Sequence, residues 1–139
     1  MNEENTKKLL KDFPKLYKQY NLPMTQTCMC WGFDCKDGWF DLLYDLSLKL
    51  KKVSPNTEAT QVKEKFGGLR FYYNGTTEEG SKLICDASEK SEHICEVCGK
   101  KGVLREDLGW VRTLCFKHYK EHVDPTYLLK KRKGAKTNE

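Results

Sequence analysis

Four side chains toward the C-terminal end have the types and spacing to hold a metal ion. They are the pair in Cys95-Glu96-Val97-Cys98 and, after a hairpin-length insert, the pair in Cys115-Phe116-Lys117-His118. Each pair bends the backbone so that two donors converge on one ion. Thiolate sulfur with imidazole nitrogen suits a borderline-soft divalent ion, and four protein donors leave no position for a reacting water. The spacing therefore predicts one structural Zn²⁺ held by Cys95, Cys98, Cys115 and His118. Cys28, Cys30 and Cys35 lie in a loop with Trp31 and Trp39 nearby. Their Cys-x-Cys-x4-Cys spacing is irregular for ligands. Small buried thiols are the expectation; a second metal shared with Cys85 or His93 is the alternative. No histidine is placed in sequence to activate a cysteine nucleophile.

A different chemistry is carried by Val62-Lys-Glu-Lys-Phe-Gly-Gly-Leu-Arg-Phe-Tyr72. Gly67-Gly68 between two alternating runs predicts a two-residue hairpin loop. That register sets Phe66 opposite Leu69 and Val62 opposite Tyr73 on one side. Lys65 then faces Arg70, and Lys63 faces Tyr72, on the other. Lys63, Lys65, Arg70 and Tyr72 form the candidate ligand-binding face, because cations interleaved with an aromatic suit phosphates plus a stacked base. The competing account is that exposed strands carry lysine to discourage edge pairing. Glu64 falls on the apolar side opposite Phe71, out of pattern with its neighbours.

The elements that must position these groups can be read from periodicity. Leu9, Leu10, Phe13, Leu16, Tyr17 and Tyr20 keep helical spacing behind a cap at Asn5 or Thr6, with Pro14 kinking or restarting the helix. Asp37 is placed to cap a second helix whose stripe is Trp39, Leu42, Leu43, Leu46, Leu50 and Val53. Thr76-x-x-Glu79 reads as the capping box of a third, which delivers the chain into Cys95. Val103-Leu104 and 110–114 read as the strands of a second hairpin, and Phe116 to Val123 as a short last helix. The fold class expected is α+β: helices packed on a β-hairpin within residues 1–94, a metal-bound segment over 95–123 packed on it, and a basic tail over 124–139.

Composition narrows the functions. The chain has 139 residues and a formal net charge of +5. Lys130, Lys131, Arg132, Lys133 and Lys136 against Glu139 supply +4 of that, so any basic surface on the body is a local patch. No apolar run approaches the ~20 residues of a membrane span. The polar, acidic start and an odd cysteine count predict a reducing, cytoplasmic setting without a disulfide framework.

The ligand pairs and the hairpin between them resemble a treble-clef or zinc-ribbon finger, over about a quarter of the chain. The same frame is similar to that of HNH and endonuclease-VII-like nucleases, which place a histidine-bearing element in the hairpin to bind Mg²⁺ and activate water. The stretch from Val103 to Leu114 has no histidine, and His122 has no partner in the pattern. Phe13-Pro-Lys, Cys30-Trp-Gly-Phe, Asp37-Gly-Trp-Phe, the Lys-Glu-Lys-Phe-Gly-Gly-Leu-Arg-Phe-Tyr stretch and Cys95-Glu-Val-Cys-Gly together resemble a group of small uncharacterised bacterial and bacteriophage proteins. That resemblance spans most of residues 9 to 118. It implies the cytoplasm of a bacterium or a phage-infected host, and no reaction. The function expected is a non-enzymatic, zinc-stabilised binding module contacting nucleic acid or a nucleotide. The alternatives are a protein-binding accessory factor, such as an inhibitor of a host defence or nucleic-acid-processing enzyme, and a degenerate HNH-like nuclease.

Overall fold

Asn2, rather than Asn5 or Thr6, starts the first helix. A computed structural model of the protein describes residues 1–124 and Thr126. In it helix α1 (Glu3–Asp12) begins when the Asn2 side chain accepts the Asn5 N–H at 2.8 Å. Asn2 is held there because its own N–H donates to Asp37 Oδ1 at 2.8 Å, and Asn5 Nδ2 donates to the same oxygen at 3.1 Å. Asp37 is thus spent on α1. The next helix starts from a 3₁₀ turn, Asp37–Trp39, with no side-chain cap. Pro14 ends α1 rather than kinking it. The chain then turns through a 3₁₀ segment, Lys18–Asn21, which leaves Phe13, Leu16 and Tyr17 buried.

Helix α2 (Phe40–Val53) buries Leu42, Leu43, Leu46 and Leu50 as its stripe requires, while Val53, its last residue, stays exposed. Its Ser47 is paired with the buried Tyr17 hydroxyl at 2.6 Å. Burial pushes that phenol well above its usual range, against the opposing pull of the Ser47 hydrogen bond. The sheet has three strands in the order β1 (Phe33–Asp34), β2 (Glu58–Lys65), β3 (Gly68–Asn74). Strand β1 runs parallel to β2, with Phe33 beside Val62 and Asp34 beside Lys63. Two residues are too few to show an alternation, so the sequence gives no sign of it.

The hairpin loop is Phe66-Gly67, one residue earlier than expected. Lys65 pairs with Gly68, Glu64 with Leu69, Lys63 with Arg70, Val62 with Phe71 and Gln61 with Tyr72, and a bulge follows between Ala59 and Gln61. Phe66 leaves the apolar face for the turn, where it is 66% exposed. Moving the loop by one residue preserves which residues share a face, so Val62, Leu69 and Phe71 still reach the core. Glu64 is explained by the new register. At the end of β2 its carboxylate turns onto the loop and accepts the Gly67 N–H at 2.7 Å.

Helix α3 (Glu78–Ser91) is capped by Thr77, which accepts the Gly80 N–H at 3.1 Å. Thr76 instead bonds the hydroxyls of Ser54 and Thr57 at the end of α2. α3 packs on α2 and β3 through Ile84 and Ala87, and Ser91 Oγ accepts the Leu69 N–H at 2.8 Å. Strands β4 (Val103–Arg105) and β5 (Arg112–Leu114) form the second hairpin, followed by α4 (Phe116–Val123). The architecture is α+β with four α-helices among the described residues. None of the described helices is long and apolar enough to cross a membrane. The lysine-rich stretch 130–136 lies outside the described residues.

Two glycines let the chain around Cys95 dock on the rest. Gly38 donates its N–H to Glu96 O at 2.7 Å, and a Cβ there would sit 2.1 Å from Cys95 O. Gly67, at φ +81°, brings its backbone against Leu104 and Val111, and its carbonyl accepts the Thr113 hydroxyl at 2.6 Å. Trp39 Nε1 adds a bond to Ile94 O at 2.9 Å.

Candidate metal centre

Cys115 occupies the cap position of α4, and its sulfur accepts the His118 N–H at 3.5 Å. Capping by sulfur places Cys115 and His118 on the same side of the first helical turn. The other pair comes from a knuckle closed by Gly99 N–H to Cys95 O at 2.9 Å and Cys95 N–H to Lys100 O at 2.7 Å. The two pairs meet. His118 Nδ1 lies 3.2 Å from Cys115 Sγ and 3.5 Å from Cys95 Sγ, and Cys98 Sγ lies 3.8 Å from Cys115 Sγ. The four donor atoms all fall within 4.8 Å of one another.

Those three separations can be compared with the edges of a tetrahedral site. With metal–sulfur bonds of about 2.3 Å and metal–nitrogen bonds of about 2.0–2.1 Å, S···S edges are about 3.8 Å and S···N edges about 3.5 Å. One S···S and one S···N distance match; the Cys115–His118 distance is somewhat shorter. A disulfide requires sulfurs about 2.05 Å apart, and all seven cysteines are free thiols. The residues present therefore fit a metal ion.

The surroundings favour thiolate donors unevenly. Burial pushes the Cys95 thiol up, yet the backbone around Cys115, Cys98 and Val97 hydrogen-bonds its sulfur and brings it below the usual range. Burial raises Cys98 to about 11, partly opposed by a backbone bond from Lys100 and reinforced by the adjacent Cys95 sulfur. The outward nitrogen of His118, Nε2, faces Glu121 Oε2 at 4.0 Å. A carboxylate on that side suits a ring whose Nδ1 lone pair points inward. Leu114 packs with the two buried ligands, Cys95 and Cys115, and Val97, Leu108 and Tyr119 cover them.

Among the described residues this is the one Cys/His/acid cluster placed to hold a metal. Cys28, Cys30 and Cys35 do not converge with Cys85 or His93. Cys30 donates to Thr27 O at 3.4 Å, while Cys85 and His93 are exposed on or beyond α3. Cys35 is buried, and burial, followed by the nearby Glu96 carboxylate, pushes its thiol up to about 12. It is a core residue, as its surroundings of Tyr17 and Phe33 indicate.

Lys63, Lys65, Arg70 and Tyr72 share the polar face of the sheet, with cross-strand partners other than those expected. Arg70 lies across from Lys63, Tyr72 across from Gln61, and Lys65 across from Gly68. Asp34 enters the same face beside Lys63 through β1. Among the described residues none of the three cations has a carboxylate within 4.0 Å. Lys65 Nζ sits 5.5 Å from the Phe66 ring centroid.

Sequence reasoning missed Glu96. Within the first ligand pair it is 3% exposed, accepting Lys36 N–H at 3.1 Å and pairing with Arg112 Nη2 at 2.9 Å. The only available signal was an acid between two ligands, which by itself reads as a spacer. Comparison of the chain with protein-family models, with curated proteins and with solved structures gives no match.

Proposed function

We propose that the chain is a non-enzymatic binding module in which one structural Zn²⁺ closes a treble-clef-like finger and the polar sheet face contacts nucleic acid or a nucleotide. The convergence of three sulfurs and one imidazole nitrogen within 4.8 Å of one another supports the metal half of this reading. The order of elements, knuckle, hairpin, then a ligand pair opening a helix, supports the finger. The binding half rests on one observation: Lys63 stands across from Arg70, and among the described residues no carboxylate lies within ion-pair distance of either. Like charges facing across strands repel by a few tenths of a kcal/mol, and a bridging phosphate would relieve that. No catalytic role is assigned. His122 packs edge-on to Trp110 at a centroid distance of 5.1 Å.

The test is Lys63→Glu with Arg70→Glu in oligonucleotide binding across a salt series. The double variant should keep about one zinc per chain, lose binding, and lose most of the salt dependence of the parent. Unchanged binding would retire this face. Cleavage of DNA or RNA in Mg²⁺ that disappears in His122→Ala, with zinc content unchanged, would overturn the non-enzymatic half. A second reading, an accessory factor for another protein, is favoured by one loop: Met24 is 69% and Trp31 68% exposed. Binding to that partner would be insensitive to salt.

A further inference from the structure

Phe66 stands in a costly place. It is the non-glycine residue at positive φ among the described residues, at +54°, and Gly67 beside it is at +81°. Two successive positive values are what a two-residue hairpin loop requires, and asparagine or glycine takes the first of them with least strain. A bulky side chain in that region is an outlier. Phe66 gains little in exchange from the core, since two thirds of it is open to solvent. An apolar ring that is both strained and exposed is explained better by what it touches outside the chain than by folding.

The backbone beside the ring is also held firmly. The Glu64 carboxylate fixes the Gly67 N–H, and Thr113 fixes the Gly67 carbonyl. Leu104 and Val111 press on the Gly67 backbone. The loop tip is therefore clamped between β2 and the second hairpin, so little freedom remains to be lost on binding. Lys65 lies beside the ring, with Lys63 and Arg70 behind it on the same sheet face. A flat apolar group at the end of a cationic track matches a strand whose phosphates follow the track and whose unpaired base stacks at its end.

We infer that Phe66 is a base-stacking residue and that the ligand of this surface is single-stranded nucleic acid rather than duplex. The inference rests on the nucleic-acid reading above. A duplex keeps its base faces covered and can engage only the cations; an unpaired strand can engage the ring as well.

A labelled mixed-sequence DNA strand, alone and annealed to its complement, distinguishes the two by fluorescence anisotropy. Phe66→Asn should weaken single-strand binding on the order of tenfold. It should leave duplex binding within about twofold and thermal stability equal or higher, since asparagine suits the turn. Phe66→Tyr should keep single-strand binding. Lys63→Glu with Arg70→Glu should weaken both ligands. Unchanged single-strand binding by a folded Phe66→Asn or Phe66→Gly variant would overturn the stacking role and leave the cationic face standing. Equal weakening on strand and duplex would also overturn it. Failure of the parent protein to bind either DNA would remove both readings together.

Discussion

Glu96 shows how much one side chain between two ligands can determine. Its carboxylate joins three parts of the chain: the knuckle that carries it, the Lys36 backbone ahead of α2, and Arg112 on β5. Its partner is also desolvated, with the Arg112 side chain 16% exposed and its Nε buried without a hydrogen-bond acceptor among the described residues. Removing one member of such a pair leaves the other charge buried and typically costs about 3–5 kcal/mol, whereas replacing both with apolar groups is often close to neutral. Glu96→Leu should therefore lower the urea midpoint sharply, and Glu96→Leu with Arg112→Met should recover most of the loss. A single-variant cost below about 1 kcal/mol would show that water or a rearranged Arg112 already compensates.

At the scale of elements, strong periodic patterns were readable and tertiary bargains were not. The stripe of α2, the helix Phe116–Val123 and the convergence of Cys95, Cys98, Cys115 and His118 followed from spacing alone, because 3.6-residue periodicity and Cys-x-x-Cys/His geometry are local. Three boundaries moved for non-local reasons. Asp37 caps nothing in its own helix because α1 recruits it. Thr76 cedes the cap of α3 to Thr77 because Ser54 and Thr57 engage its hydroxyl. The hairpin loop takes Phe66-Gly67 in place of Gly67-Gly68, leaving Gly68 in the strand beside Glu92, the residue just past α3. The glycines that looked like turn punctuation also serve contact between elements. A Cβ on Gly38 would meet two backbone carbonyl oxygens, Cys95 O at 2.1 Å and Glu96 O at 2.4 Å. At Gly67 the nearest obstacle is a side-chain end, Leu104 Cδ1 at 2.6 Å, which can rotate away. Gly38→Ala should thus cost about 2–3 kcal/mol and displace the knuckle. Weaker zinc retention in a chelator competition would report that displacement. Equal retention by Gly38→Ala and the parent would show that the 3₁₀ turn, and not the knuckle, absorbs the clash.

The whole molecule has two apolar clusters of unequal strength. The larger runs from Leu9 through Leu43, Val62 and Leu69 to Ala87 and contains none of the four candidate metal ligands. The smaller has only Leu114 among its fully buried members besides the two ligand cysteines, with Val97, Leu108 and Tyr119 partly covering it. Three buried apolar side chains, two of them thiols, cannot offset the conformational entropy of ordering some thirty residues at roughly 1–2 kcal/mol each. A bound metal ion, together with the docking contacts, would make up the difference. Those contacts include the Gly38 N–H on Glu96 O, the Lys36 N–H on the Glu96 carboxylate and the Thr113 hydroxyl on Gly67 O. Stripping the metal should therefore melt residues 95–123 while the larger cluster holds. Hydrogen exchange followed by mass spectrometry resolves this. Peptides covering β4, β5 and α4 should lose protection on chelation, and those covering α2 and β2 should keep it. The hairpin tip should respond in an intermediate way, because Gly67 loses the Thr113 hydroxyl but keeps the Glu64 carboxylate. Cooperative loss across the chain would instead mean that the two clusters fold as one unit. In that case the contacts at Gly38 and Gly67 would carry stability in both directions, and the metal would support the body as much as the segment that binds it.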